Sequence, residues 1–147
     1  MLRINSKKDV LSSGRVLVDA GEHIRLDLPV AGAPVAADIT SRIPQITRGT
    51  LSVIREANRV IFTLYDVRFE NETEFPEFFY LDDAIPIGCR PAESYVSFLG
   101  MYDVTGAKSR RVRFQKDRKI LLYDLAVGDR VNLVATFYTD EPPIDTI

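Results

Sequence analysis

From residue 50 to residue 138 the chain repeats one pattern, short runs in which apolar and polar side chains alternate, broken by Gly, Asp or Asn. Alternation with period two marks strands that bury one face. It predicts strands over residues 50–55, 59–69, 95–99, 110–115, 120–123 and 131–138. Turn signals separate them at Glu56-Ala57-Asn58, where Asn suits a positive φ, and at Gly100, Gly106, Lys116-Asp117-Arg118 and Val127-Gly128-Asp129. Six or more short strands at this spacing, with no convincing helical period, predict an all-β fold, an antiparallel β-sandwich or jelly roll. In the second run Val60, Phe62 and Leu64 alternate with Ile61, Tyr65, Val67 and Phe69, so both faces read as apolar. Such a strand is expected in a sandwich core or at an interface.

The N-terminal third reads differently. None of the eight Phe and six Tyr precedes Phe62, and aromatic side chains dominate core burial. Short strands are predicted over residues 15–18 and 23–28, around a turn at 19–22. The small residues between Pro29 and Ala37 read as an extended linker, with a short helix over 35–41 left open. The expected organisation is therefore an N-terminal arm, residues 1–45, a β-sandwich body, 46–141, and a C-terminal tail, 142–147. The first nine residues carry charge with no apolar run behind them, so no signal peptide is expected and synthesis in the cytoplasm is.

Composition narrows the chemistry. At 147 residues and 46% apolar the chain is expected to fold as one soluble body, and no apolar run is long enough to span a membrane. One Cys and one His exclude an intrachain disulfide and a Cys/His zinc site, and the sole conceivable Cys–His pair is Cys89 with His23. Neither reads as a catalyst: His23 has nothing to pair with, and Cys89 between Gly88 and Arg90 reads as a small packed residue. No phosphate loop, serine elbow, calcium loop or metal motif is present, so no cofactor is expected.

The net charge of -2 conceals two opposed clusters. Residues 66–83 hold seven carboxylates against Arg68; residues 108–119 hold seven cations against Asp117. In the acidic stretch, carboxylates interleave with aromatics in a segment too irregular for a strand. Aromatic faces and carboxylates together bind sugar rings, by stacking and by hydrogen bonds to hydroxyls. The candidate saccharide residues are Glu72, Glu74, Phe75, Phe78 and Tyr80, with Tyr102 and Asp103; the alternative is a long loop pinned to the core by its aromatics. The basic stretch offers Arg110, Arg111, Arg113, Lys116 and Arg118 as a polyanion or inter-subunit patch. Strand parity puts Arg111, Arg113 and Gln115 on one face and Val112 and Phe114 inward. Its alternative is a solvated strand that resists edge pairing. A nucleic-acid module using Arg110, Arg111, Arg113 and Lys116 with Phe114 and Tyr123 is a further reading, against which the near-neutral total weighs. The two clusters could also meet, within a chain or across a subunit boundary.

Between Ile85 and Phe98 the chain reads Pro86-Ile87-Gly88-Cys89-Arg90-Pro91, a rigid corner, followed by a strand. This Pro-x-Gly-x-Arg-Pro corner comes after a strand pair and precedes the hairpin Val112-x-Phe114…Ile120-x-Leu122 and a last strand introduced by Gly128-Asp129. In these features the chain resembles the head domains of receptor-binding and tail-fibre proteins of tailed phages, over roughly residues 46–140. Cys89 stands where that pattern has an aromatic, and Asp117-Arg118 where its hairpin tip favours Asp-Gly. The resemblance implies a jelly-roll head that trimerises about a threefold axis, carries no enzymatic activity and binds saccharide on the host surface. It would be a virion protein, attached to other virion components through residues 1–45. A structural virion component that binds only protein is the alternative.

Overall fold

The computed structural model describes the backbone of β1 (Asp9–Val10), β2 (Val16–Asp19) and β3 (His23–Leu26), and residues 34–147 in full. The chain divides into two compact units, Met1–Ala33 and Pro34–Ile147. The first contains a three-stranded antiparallel sheet in the order β1-β2-β3. β2 and β3 are the two strands expected there; residues 20–22 of the expected turn and 29–33 of the expected linker lie outside the described residues.

The second unit is all-β. It comprises β4 (Val35–Asp38), a single 3-10 turn at Thr40–Arg42, β5 (Arg48–Glu56), β6 (Arg59–Arg68), β7 (Phe78–Leu81), β8 (Tyr95–Met101), β9 (Ser109–Gln115), β10 (Ile120–Tyr123) and β11 (Val131–Tyr138). These form one antiparallel eight-stranded sheet in the order β4-β5-β6-β11-β8-β9-β10-β7. All six strands predicted over residues 50–138 are present. Two more were not expected. β4, within the supposed linker, pairs with β5 from Val35↔Arg55 to Asp38↔Ser52, so the body begins at Pro34 rather than at residue 46. β7, within the stretch read as too irregular, pairs with β10 from Ile120↔Leu81 to Tyr123↔Phe78. The expected tail also belongs to the body, with Ile144 and Ile147 packed on the core.

The sheet curls on itself. β6 and β9 are three strands apart, which in a flat sheet would separate them by about 14 Å. Yet the Phe62 and Phe114 rings lie 5.1 Å apart, and Phe137 of β11 sits 5.9 and 5.7 Å from the two. The core thus fills the concave side, with Leu51, Val53, Leu81, Ile85, Ile120 and Leu122 fully buried around this aromatic cluster.

β6 departs from simple alternation. Its register shifts by one residue against both neighbours, between Arg48 and Thr50 on β5 and between Val131 and Leu133 on β11. The extra residue is Asp66, at φ 51. Such a bulge reverses the parity of the residues after it. Val67 and Phe69 are therefore buried with Val60, Phe62 and Leu64, and the opposite face keeps only Ile61, Thr63 and the exposed Tyr65. The strand is not apolar on both faces, and the expectation that it lies at an interface loses its basis. Asn132 Oδ1 accepts the Asp66 N–H at 2.9 Å, and Arg130 Nε donates to the Asp66 carboxylate at 2.5 Å. Gly49, at φ +83, lets β5 pass so close that a Cβ there would fall 2.2 Å from the Asp66 carbonyl oxygen.

Between β8 and β11 the ladder holds at one pair, Asn132↔Met101. Beyond it the strands part, and Ala92, whose N–H donates to Tyr138 O at 3.0 Å, begins the crossing from the end of β11 to the start of β8. The result is a gap in the ladder between residues 95–100 and 133–138, bridged by hydrogen bonds at both ends.

Candidate functional site

The Pro86–Pro91 corner is built as the sequence implies, and the groups that lock it come from elsewhere in the chain. Glu141 Oε1 accepts the N–H groups of Gly88 (2.8 Å) and Arg90 (2.9 Å), while Oε2 accepts Nε and a terminal nitrogen of Arg90 at 2.8 and 2.6 Å. Arg55, 2% exposed, donates to the carbonyls of Ala57, Gly88, Pro142 and Glu141 at 2.5–2.8 Å. One buried guanidinium thus ties the β5–β6 turn, the corner and the chain end together. Burial works to raise the Glu141 pKa, but the Arg90 guanidinium and the two backbone donors outweigh it and hold it below the ordinary glutamate value. Cys89 is fully buried, and burial pushes its thiol up to about 11, so it is the packed residue expected.

The structure scatters the residues proposed for saccharide. Tyr102 is a correction: it is fully buried, its hydroxyl donating to Arg111 O at 3.3 Å, and it cannot touch a ligand. Phe75 is half-buried in an edge-on cluster with Phe69 and Phe79. Asp103 organises the β8–β9 connection by accepting the Ala107 N–H at 3.1 Å, three strands from β7. Glu72 and Glu74 are exposed in the loop before β7. Phe78 and Tyr80, 44% and 43% exposed, stand on the convex face of β7.

The basic patch is broken up as well. Lys116 Nζ donates to Ala92 O at 3.0 Å, Arg118 Nε to Ile85 O at 2.8 Å, and Arg110 to Ser109 O at 2.8 Å. Lys119 meets Asp82 at 2.7 Å and Arg118 lies 3.7 Å from Asp83, so the acidic and basic clusters do meet within the chain, at one end of each. Phe114 is core and leaves the nucleic-acid candidates. Arg111 and Arg113 share the convex face with Gln115, as parity required. Arg111 lies 4.8 Å from the Tyr123 ring centre, and Arg113 4.0 Å from that of Tyr95.

Where the ladder between β8 and β11 is interrupted lies a cleft of about 530 Å³. Its floor is Val96, Phe98 and Phe137. Its walls carry Tyr95, Ser97, Thr136 and Tyr138, with Glu93 on the crossing segment. Tyr95 and Tyr138 are 48% and 63% exposed. Clefts that hold small ligands run from about 300 to 1,000 Å³, mostly apolar with a few placed polar groups, and this one falls within that range. Sequence reading missed it. The outward parity of Tyr95 with Ser97 and of Thr136 with Tyr138 was visible, but the parting of the two strands was not.

Among the described residues, no cluster of three or more His, Cys, Asp or Glu side chains could hold a metal ion, and no helix is long and apolar enough to cross a membrane. No protein-family model matches the chain, and no curated protein matches it in sequence.

Proposed function

We propose that this chain is a non-enzymatic binding protein whose β-body takes a saccharide in the cleft between β8 and β11. The observation that carries the reading is the cleft itself: two exposed tyrosine rings over an apolar floor, with a carboxylate and two hydroxyls within the same walls. Sugar rings stack on aromatic faces through their C–H surfaces and bind carboxylates and hydroxyls through their own hydroxyls. The corner at residues 86–91 and the strand order support the particular form of the reading: the head domain of a tailed-phage receptor-binding or fibre protein, a sandwich or jelly roll acting as a homotrimer in the virion and recognising host surface glycan. The binding residues in this reading are Tyr95, Tyr138 and Glu93, in place of the scattered set around Glu72 and Tyr102.

The test is calorimetric titration with oligosaccharides released from bacterial surface polysaccharides. Tyr95→Ala combined with Tyr138→Ala is expected to weaken binding roughly tenfold or more, since aromatic contacts are each worth about 1 kcal/mol beyond their burial. Glu74→Ala is expected to leave it unchanged. Absence of binding to any envelope polysaccharide overturns the reading in favour of a virion component that contacts only protein.

A further inference from the structure

The convex face of β7-β10-β9-β8 has a composition that a solvated sheet face does not have. The register places Tyr80, Leu121, Arg113 and Ser97 in one row across the four strands, with Phe78 and Tyr123, Leu99 and Arg111, Tyr95 and Gln115, and Met101 and Ser109 on the same side. No Lys, Asp or Glu occurs among these side chains. Solvated antiparallel faces are rich in those residues, whereas the centres of protein interfaces are depleted in them and enriched in aromatics, Met and Arg. Leu99 is 74% exposed and Met101 47%, an apolar surface left to water in the single chain.

The charges say what covers it. Among the described residues, Arg111 and Arg113 have no carboxylate within ion-pair distance, and Arg113 Nε is buried with no acceptor. Among the same residues, Glu72, Glu74 and Glu77 are exposed without a cation, although Glu70, Asp82 and Asp83 of the same cluster are paired. Two complementary remnants are thus left on one chain.

We propose that this face is where copies of the chain associate, Arg111 and Arg113 of one copy receiving the Glu72–Glu77 segment of the next. The inference rests on the homotrimer reading above and names its surface. The two patches are different parts of the molecule, so the contact is head-to-tail, and in the homotrimer reading three such contacts close a ring. Tyr95 stands where this face meets the saccharide cleft, which places the cleft at the rim of the interface.

The test is sedimentation of the full chain over a micromolar concentration series. The wild type is expected to associate, and less so at high salt. Arg111→Glu with Arg113→Glu is expected to weaken association at least tenfold. Glu72→Lys with Glu74→Lys, both in the exposed loop before β7, should do the same without touching the face. Combining both sets of substitutions in one chain restores association, because each reversed face then meets a reversed segment in the next copy. A monomeric wild type overturns this inference and the trimer together. Association that persists in both variants overturns this inference alone. A monomer that binds a single-stranded oligonucleotide with steep salt dependence gives the face to nucleic acid and overturns it as well.

Discussion

At single positions, backbone constraint decides what the fold tolerates. Gly49 and Gly128 both sit at positive φ, yet a Cβ at Gly49 meets the Asp66 carbonyl oxygen at 2.2 Å, while at Gly128 it meets nothing within 4 Å. Gly128→Ala is expected to cost only the conformational penalty, about 1–2 kcal/mol. Gly49→Ala adds a backbone clash that no rotamer can relieve, and its urea midpoint should fall well below that of Gly128→Ala. In the β5–β6 turn it is Ala57, at φ 55, and not Asn58 that takes the positive φ, so the expectation placed on Asn was off by one residue. Glu141 supplies a pH dependence. Its folded pKa lies below the ordinary value of 4.5, so the stability it contributes is complete above that value and is lost as pH falls through the folded one. Glu141→Gln should lower the melting temperature at neutral pH and flatten its decline between neutral and acid pH, as followed by circular dichroism.

At the scale of elements, the bulge in β6 governs which side chains reach the core. Asn132→Ala removes the acceptor for the Asp66 N–H and is expected to cost about 1–3 kcal/mol, the range for a donor left unpaired. Deleting Asp66 would turn Val67 and Phe69 outward, and folding should fail in a far-ultraviolet spectrum. Alternation located β5, β6, β8, β9 and β11, strands of seven to ten residues, while β10 was found as a short apolar run between two turn signals. It could not see the bulge, since the insertion is read against neighbouring strands and Asp66 looks like any polar position. β4 and β7 escaped for a different reason. Val35-Ala36-Ala37-Asp38 and Phe78-Phe79-Tyr80-Leu81 are four-residue edge strands whose conformation is set by β5 and β10 respectively. The same holds for the candidate sites: parity predicted that Arg111 and Arg113 share a face, but the burial of Tyr102 and the parting of β8 from β11 are tertiary outcomes.

For the whole molecule, the division after Ala33 has a direct consequence. Residues 34–147 are expected to fold without the preceding unit and to melt cooperatively at a temperature close to that of the full chain. A fragment beginning at residue 46 loses β4 together with Ile39 and Ile43, both buried, at about 1.5–3 kcal/mol for each side chain. Its calorimetric melt should drop sharply or vanish; equal melting of the two fragments would instead put the boundary at residue 45. The corner offers a way to watch the body open. Cys89 is the chain's one thiol, and only its thiolate reacts with alkylating reagents. Enclosed as it is behind Gly88, Arg90 and the chain end, it becomes a built-in clock. Each molecule that takes up a single adduct has lifted the corner at least once, and the adduct's rate of appearance reads the frequency of that event without any label being engineered.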